Sequence, residues 1–377
     1  MSGKILPGGF AICSKGVRGV GRVVIYGLGD LGEKLAYLCA SQLSFNDELW
    51  LAGRSQKTVA EIAAMADFVA CSRHGPRIYQ TVWDLSDQAA MQTELDHIAP
   101  DVVIFLATRL TWWKVAKLPT YVKDAIGPGG FGVWTAVHVD LLLQFAAVVE
   151  GLRHAPWLMI GPYPDVAAPI LRAIGLEKIA GFGNVDELAM LAALQYREAD
   201  DIRLVAHHSV ESRLFAGTAL PPYDLHVRIG GEWVKKALFK PFDWPGGTRS
   251  HIWTAASAMR TLLALLGSHP ELIHIPGPMG LPGGYPCRVS ANGIVLDLAP
   301  RMSPHDAVVI NEAAMKFDGI EQIGPSGTVY FTKLAQEALR QGLGLNWEAL
   351  SVSDIPMAAN VLVRRYQELL ENSSVSN

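Results

Sequence analysis

Charge is scarce in this chain. Only 18% of the 377 residues are Asp, Glu, Lys or Arg, too few for a disordered segment or a long coiled coil. The formal net charge is −4, so there is no basic surplus to neutralise a nucleic-acid backbone or an anionic membrane. Cysteine is nearly absent. Cys13, Cys39, Cys71 and Cys287 stand far apart and form no C-x-x-C pair. That spacing argues against a structural zinc and for a reducing, cytoplasmic setting. The first residues, MSGKILPGGFAICSKG, lack the apolar stretch of a signal peptide. No run of about 18 apolar residues is evident, so no membrane span is expected. Internal repeats and low-complexity tracts are missing as well.

Half the residues are hydrophobic, enough for a large core and for two domains. Strand-like and helix-like segments alternate from about residue 20. RVVIY, ELWLA, IYQTVW, DVVIFLA, WLMI and a short strand near KIAG are separated by helical segments. One connection, Thr108 to Gly132, is long and rich in Gly and Pro, as functional loops often are. This pattern predicts an α/β fold, a doubly wound parallel Rossmann sheet, over residues 20–182. After Gly183 the pattern changes. Hairpins around Gly-Gly (LHVRIGGEWVKKALF) and Asn-Gly (RVSANGIVLDL) join helices near 254–266, 304–317 and 354–370. A mixed α+β domain is expected over 183–377, the part that would hold a substrate.

The stretch VVIYGLGDLGEKLAYLCA, residues 23 to 40, carries the first chemical signal. Gly27, Gly29 and Gly32 follow the G-x-G-x-x-G order between an apolar strand and a helix. In that context Gly27 makes the tight turn, Gly29 admits a pyrophosphate and Gly32 lets helix and strand pack closely. Asp30 and Leu31 lie within the turn, where backbone N–H groups and the helix dipole would face phosphates. The alternative is a tight βα turn without a ligand. The second strand ends in Ala52 and Gly53 where NAD enzymes usually carry an acidic residue, and Arg54 and Ser55 follow. A guanidinium and a hydroxyl suit a 2′-phosphate, so NADP(H) is the expected cofactor. The plainer reading makes Arg54 a solvated side chain and Ser55 a helix cap. Asp84, after the third strand, could sit by the adenine or be a plain turn carboxylate, and Thr108, after the fourth, completes the expected cofactor set.

Further on, GFGNVDELAMLAALQYREADDIRLVAHHSVES places Asp186 at a helix start and His207 and His208 at a strand end. A histidine oriented by a carboxylate is a general acid/base. Asp186 could equally serve the helix dipole, and only one of two adjacent strand residues can face a site.

The segments FLATRLTWW, MIGPYPDVAAPIL, GFGNVDELAMLAAL and VAHHSVES, and the late hairpin GLPGGYPCRVSANGIVLDLAP, stand in one serial order. In that order the chain resembles the lactate/malate dehydrogenase family over about residues 21 to 345. The resemblance implies a Rossmann domain, an α+β C-terminal domain and a homodimer. It also implies that Asp186 orients a catalytic His208, with His207 as the alternative, and that Arg109 lies on a loop closing over cofactor and substrate.

Three departures qualify it. Ala189 stands where the family binds the substrate carboxylate with Arg. Gly161 and Pro162 replace an Asn. The 108–132 loop has Trp112, Trp113 and Phe131 in place of the usual arginines. A small-molecule substrate larger than a simple 2-oxo acid is therefore expected, although an aromatic loop can equally pack as a lid or subunit contact, and Arg213 is either another anion contact or a surface residue. Three readings remain open. The first is NADP(H)-dependent hydride transfer to a carbonyl. The second is an opine- or saccharopine-type imine reductase. The third is a non-catalytic NADP(H)-sensing or partner-binding protein.

Overall fold

The computed structural model describes residues 20–238 and 246–374. The readings made on the first nineteen residues, Cys13 among them, lie outside the described residues, as do Phe239 of the first hairpin and the last three residues.

Six parallel strands make the central sheet: β1 (Arg22–Tyr26), β2 (Glu48–Gly53), β3 (Arg77–Val82), β4 (Val102–Phe105), β5 (Trp157–Ile160) and β6 (Ile179–Gly181). Their spatial order is β3-β2-β1-β4-β5-β6, with every pairing parallel. The doubly wound sheet is the one the alternating pattern predicts. Successive residues of β1 feed opposite cores. Val24 and Tyr26 join Val103, Phe105 and Phe145 on one face, and Val23 and Ile25 join Leu35, Leu51 and Ile104 on the other. A strand buried on both faces needs a continuous apolar run, and that explains why RVVIY and VVIF do not alternate with polar residues.

Two helices of the parallel-sheet region start on side-chain caps, the first of them expected from the sequence. The Ser55 side chain accepts from Thr58 N and starts helix Gln56–Cys71. Asp87 accepts from Ala90 N and starts helix Gln88–Ile98. The long loop is partly helical, with Trp112–Val115 and Thr120–Ile126 pinned by buried Leu118, Val122 and Ile126. The stretch Phe131–Glu150 is long and apolar enough to cross a membrane, contrary to the expectation from sequence, but 78% of its most apolar window is buried inside the fold. Helix Ile355–Ser374 packs along it.

Beyond residue 182 come three antiparallel sheets of three strands. They are β7 (Asp201–Val205), β8 (Asp224–Ile229) and β9 (Glu232–Lys236); β10 (Glu271–Pro276), β11 (Gly284–Ser290) and β12 (Gly293–Leu296); and β13 (Ile320–Ile323), β14 (Val329–Phe331) and β15 (Ala349–Leu350). Both predicted hairpins are present, as β8–β9 and β11–β12. The third sheet was not foreseen. The two large cores run across the expected 182/183 division. One joins the parallel sheet to Phe331, Leu362 and Tyr366. The other joins it to Leu262, Ile275 and Tyr285.

Candidate active site

A cleft of about 1090 Å³ opens along the C-terminal ends of the parallel strands. It lies where the strand order reverses between β1 and β4, the usual ligand crevice of such sheets. The glycine turn lines one end. Gly27 has φ +106°, and a Cβ there would stand 2.8 Å from Ala107 N. A Cβ on Gly32 would stand 2.2 Å from the Gly27 carbonyl oxygen. Both positions are glycine because backbone fills the space. Gly29 differs, since a Cβ there meets nothing within 4 Å. Its missing side chain leaves an open approach to the start of helix Asp30–Gln42, where backbone N–H groups are unspent. Those features fit the phosphates of a dinucleotide.

Asp30 also lines this end. Lys34 Nζ donates to its carboxylate at 2.5 Å, and His251 Nδ1 lies 2.6 Å from the same oxygen. Burial opposes ionisation of Asp30, but the two partners outweigh it and hold the carboxyl below its usual range. Two basic groups thus offset the acid beside the turn.

Leu31, Ser55, Asp84, Thr108 and Arg54 line the same cleft. Arg54 is exposed and has no hydrogen bond or ion pair among the described residues. Ser55 Oγ already accepts from Thr58 N at 3.2 Å and from Thr58 Oγ1 at 3.0 Å, so part of its capacity goes to the cap. Asp84 accepts from Ser86 N at 2.9 Å, and the Ser86 bonds hold it below the usual carboxylate range.

His208 lines the other end. Its Nδ1 lies 2.6 Å from Asp318 Oδ2, and its backbone N–H donates to Asp165 Oδ1 at 2.9 Å. Tyr163 Oη donates to the same Asp318 oxygen at 3.0 Å. Burial alone would push the imidazole toward neutrality. The Asp318 charge and hydrogen bond, with Asp165, outweigh it and raise the His208 pKa above its ordinary value. Burial likewise opposes the Asp318 charge, but His208, His207 and Tyr163 hold that carboxyl below its usual range. Nε2 of His208 has no partner among the described residues. A fixed Nδ1 and a free Nε2 are the arrangement of a general acid/base. Phe131 covers this ring at 4.9 Å between centroids.

Three predicted residues do not reach the cleft. Asp186 is fully buried, and its Oδ1 accepts from Arg260 Nη1 at 2.7 Å and from His274 N at 3.3 Å. It does not orient His208. The carboxylate beside that imidazole is Asp318, 110 positions away in sequence. His207 is 1% exposed, and its Nδ1 accepts from Ser209 N at 3.1 Å as the cap of helix His208–Ala216. The predicted strand therefore stops at Val205, and His208 begins a helix. Arg213 donates to Ala219 O at 2.7 Å and lies over the Phe317 ring. Arg109 and Trp112 do line the cleft. Arg109 spends Nε on buried Asp140 at 2.5 Å and keeps both amino groups free of bonds among the described residues. Trp112 and Trp113 pack edge-on against His251.

The helix that carries Asp186 presents Asn184 and Glu187 to the cleft instead. Ala189 belongs to the small core of Leu188, Leu204 and Val210, so no side chain at that position reaches a substrate. One turn after Glu187 stands Met190, which is also uncharged. Sequence reasoning missed Glu187 by one residue. It missed Glu211 as well, although the spacing His208-Ser-Val-Glu211 puts both on one helical face. Nothing local in the sequence marks Asp318. No cluster of three or more His, Cys, Asp or Glu suited to a metal occurs among the described residues.

No family model matches the chain, and no curated protein matches it in sequence. Its fold does have counterparts among solved structures. It is the lactate dehydrogenase-like fold, a Rossmann sheet joined to an α+β region. A lactate dehydrogenase from Cryptosporidium parvum, complexed with lactic acid and β-nicotinamide adenine dinucleotide, has a TM-score of 0.50 at 14% identity, over 79% of this chain and 96% of its own. A lactate dehydrogenase from Eimeria maxima with NADH and oxamate has a TM-score of 0.49 at 12% identity, over 79% and 93%. A malate dehydrogenase from Cryptosporidium parvum has a TM-score of 0.48 at 15% identity, over 79% and 98%.

Proposed function

We propose that this chain is a nicotinamide-dinucleotide-dependent oxidoreductase acting on a carbonyl compound, with NADP(H) preferred over NAD(H). The observation that carries the reading is the His208–Asp318 pair, 2.6 Å apart, lining the same cleft as the glycine turn. When bound, the nicotinamide supplies or takes the hydride. The chain's own residues do the rest. Asp318 fixes the tautomer and holds the imidazolium. His208 Nε2 gives a proton to the carbonyl oxygen as the C=O bond is reduced, and takes it back in the oxidation. Phe131 and Tyr163 shield the ring from water. Gly29 leaves room for the pyrophosphate, and the free Arg54 favours a 2′-phosphate.

The preference against small 2-oxo acids follows from the substrate end. Among the described residues, Arg54 and Arg109 are the arginines that line the cleft, and Arg109 gives its Nε to Asp140, leaving its two amino groups for a substrate. The helix that would supply a carboxylate clamp offers Glu187. Trp112 and Trp113 suit a substrate with an apolar portion.

The test is direct. Purified protein is titrated with NADPH and NADH by fluorescence, then assayed for oxidation of the reduced cofactor with aldehydes, ketones and oxo acids. Tight NADPH binding with His208-dependent turnover of a carbonyl is the expected result. Tight binding without turnover of any carbonyl or imine would mark a sensor. A strict need for an amine co-substrate would mark an imine reductase.

A further inference from the structure

Glu187 and Glu211 meet at the substrate end of the cleft, on the starts of two different helices. Glu211 lies three residues after His208, one helical turn along the same face, which sets their side chains about 5–6 Å apart at Cβ. The two carboxyls share a hydrogen bond. Thr254 Oγ1 donates to Glu187 Oε1 at 2.7 Å. No Lys or Arg pairs with either glutamate among the described residues, and no lysine is among the described residues lining the cleft. Burial pushes both carboxyls up, with Glu187 at about 7. Without a cation the buried pair is relieved of charge by holding a proton, and a cation that arrived with a substrate would let it ionise and take the proton's place.

A second observation points to a ligand at this end. His138 lines the same cleft and is 4% exposed, and its Nε2 has no partner among the described residues. Its ring stacks on Phe131, the residue that also covers His208. A buried, unpaired ring nitrogen in a cleft wall is explained by a polar group that arrives with the substrate.

We propose that the substrate carries a protonated amine, held by the Glu187–Glu211 pair about one helical turn from the carbon that reacts at His208. This rests on the oxidoreductase reading and names its substrate class, an amino-substituted carbonyl compound or the matching amino alcohol. A tether of three methylenes between carbonyl carbon and nitrogen spans the interval.

The test uses three alcohols of matched shape, with saturating oxidised dinucleotide present. They are 4-(dimethylamino)butan-1-ol, which is cationic, 5-methylhexan-1-ol, which is neutral, and 5-hydroxypentanoate, which is anionic. Binding is read by calorimetric titration, independently of turnover. The ammonium alcohol is expected to bind at least about tenfold tighter than the neutral one and to lose that advantage in Glu187→Gln and Glu211→Gln. The anionic compound is expected to bind weakest. Equal affinities, no binding by the ammonium compound, or tightest binding by the hydroxy acid would overturn the proposal. If a variant fails to fold, the order in the unmodified protein decides alone. Formation of reduced dinucleotide from the same alcohols reports separately on the redox reading. Selective ammonium binding without it supports the cation site while removing the oxidoreductase.

Discussion

Replacing Asp318 by Asn tests the centre of the mechanism with little change of shape. Asp318 is 2% exposed and accepts from Tyr163 Oη at 3.0 Å, a bond that an Asn carbonyl oxygen can also accept. What the amide cannot do is hold the charge on His208, 2.6 Å away. A charge-assisted hydrogen bond of this kind contributes about 1.5–3 kcal/mol. If that energy is available only when the imidazolium forms, Asp318→Asn slows turnover by about 10- to 150-fold. The ceiling is the full value of the acid/base group, about 10²–10⁴-fold, seen in His208→Ala. The double variant should be no slower than His208→Ala alone, because the two residues act as one unit.

The pH profile gives the sign. Asp318 raises the His208 pKa, so in the unmodified protein the protonated ring survives above its ordinary range. Reduction needs that proton, and its alkaline limb should move to lower pH in the variant. Oxidation needs the neutral ring, so its acid limb should move the same way. Stability follows the same linkage. The His208 contribution is fully present below the unfolded pKa and fades as pH rises through the folded one, and in the variant this dependence shrinks. The assay is kcat/KM against pH in both directions, with dinucleotide affinity measured beside it. Unchanged rate and unmoved limbs in Asp318→Asn would refute the pairing, as would a larger loss in Asp186→Asn.

Three shorter predictions concern other parts of the cleft. Arg54→Ala should narrow the NADPH-over-NADH preference by about 1.5–3 kcal/mol in a fluorescence titration; equal affinities in the unmodified protein would remove the NADP(H) assignment. Gly29→Val should abolish dinucleotide binding with the fold intact by circular dichroism, since a Cβ at Gly29 meets only open cleft, and unchanged binding would take the turn out of the site. Gly132→Ala should cut turnover without touching dinucleotide affinity, because its Cβ would stand 2.4 Å from the Asp318 backbone oxygen; its effect should largely vanish in the Asp318→Asn background.

The legible parts of this protein were local and periodic. Apolar runs gave the strands, Ser55 marked a helix start, and the Gly-Gly and Asn-Gly signals gave hairpins β8–β9 and β11–β12, although the second turns on Ala291 and Asn292, with Gly293 already in the strand. The three glycines were readable because each spacing has its own steric reason. The carboxylate beside His208 was not readable, because Asp318 meets His208 only where the turn at 316–318 packs against helix His208–Ala216 and the end of the 108–132 loop. The choice of Asp186 failed by one helical position. Asp186 turns inward to Arg260 and His274 N, whereas Glu187 turns to the cleft. Rotation of about 100° per residue makes such a slip decisive on a helix, as alternation does on a strand. Neither position is followed one turn on by an arginine, since Met190 follows Glu187 as Ala189 follows Asp186.

The source of the positioning carboxylate changes how the site is assembled. Asp318 is gripped by the end of the long loop. A Cβ on Gly130, at φ +68°, would stand 2.5 Å from the Asp318 carbonyl carbon, and one on Gly132 would stand 2.4 Å from its oxygen. Between those glycines Phe131 reaches the His208 ring, and Tyr163 bonds Asp318 from the other side. The loop end, the carboxylate and the imidazole are therefore one packed body. A displacement of residues 130–132 would press on the Asp318 backbone and, through it, on the hydrogen bond to His208. The same loop begins at Arg109, which Asp140 fixes to helix Thr135–Glu150, and carries Trp112 and Trp113 onto His251, whose Nδ1 bonds Asp30 beside the glycine turn. Its two ends thus reach the two ends of the cleft. The loop's aromatics therefore serve both ends, Trp112 and Trp113 against His251 beside the glycine turn and Phe131 against His208, with backbone contact to Asp318 where the sequence places Gly130 and Gly132.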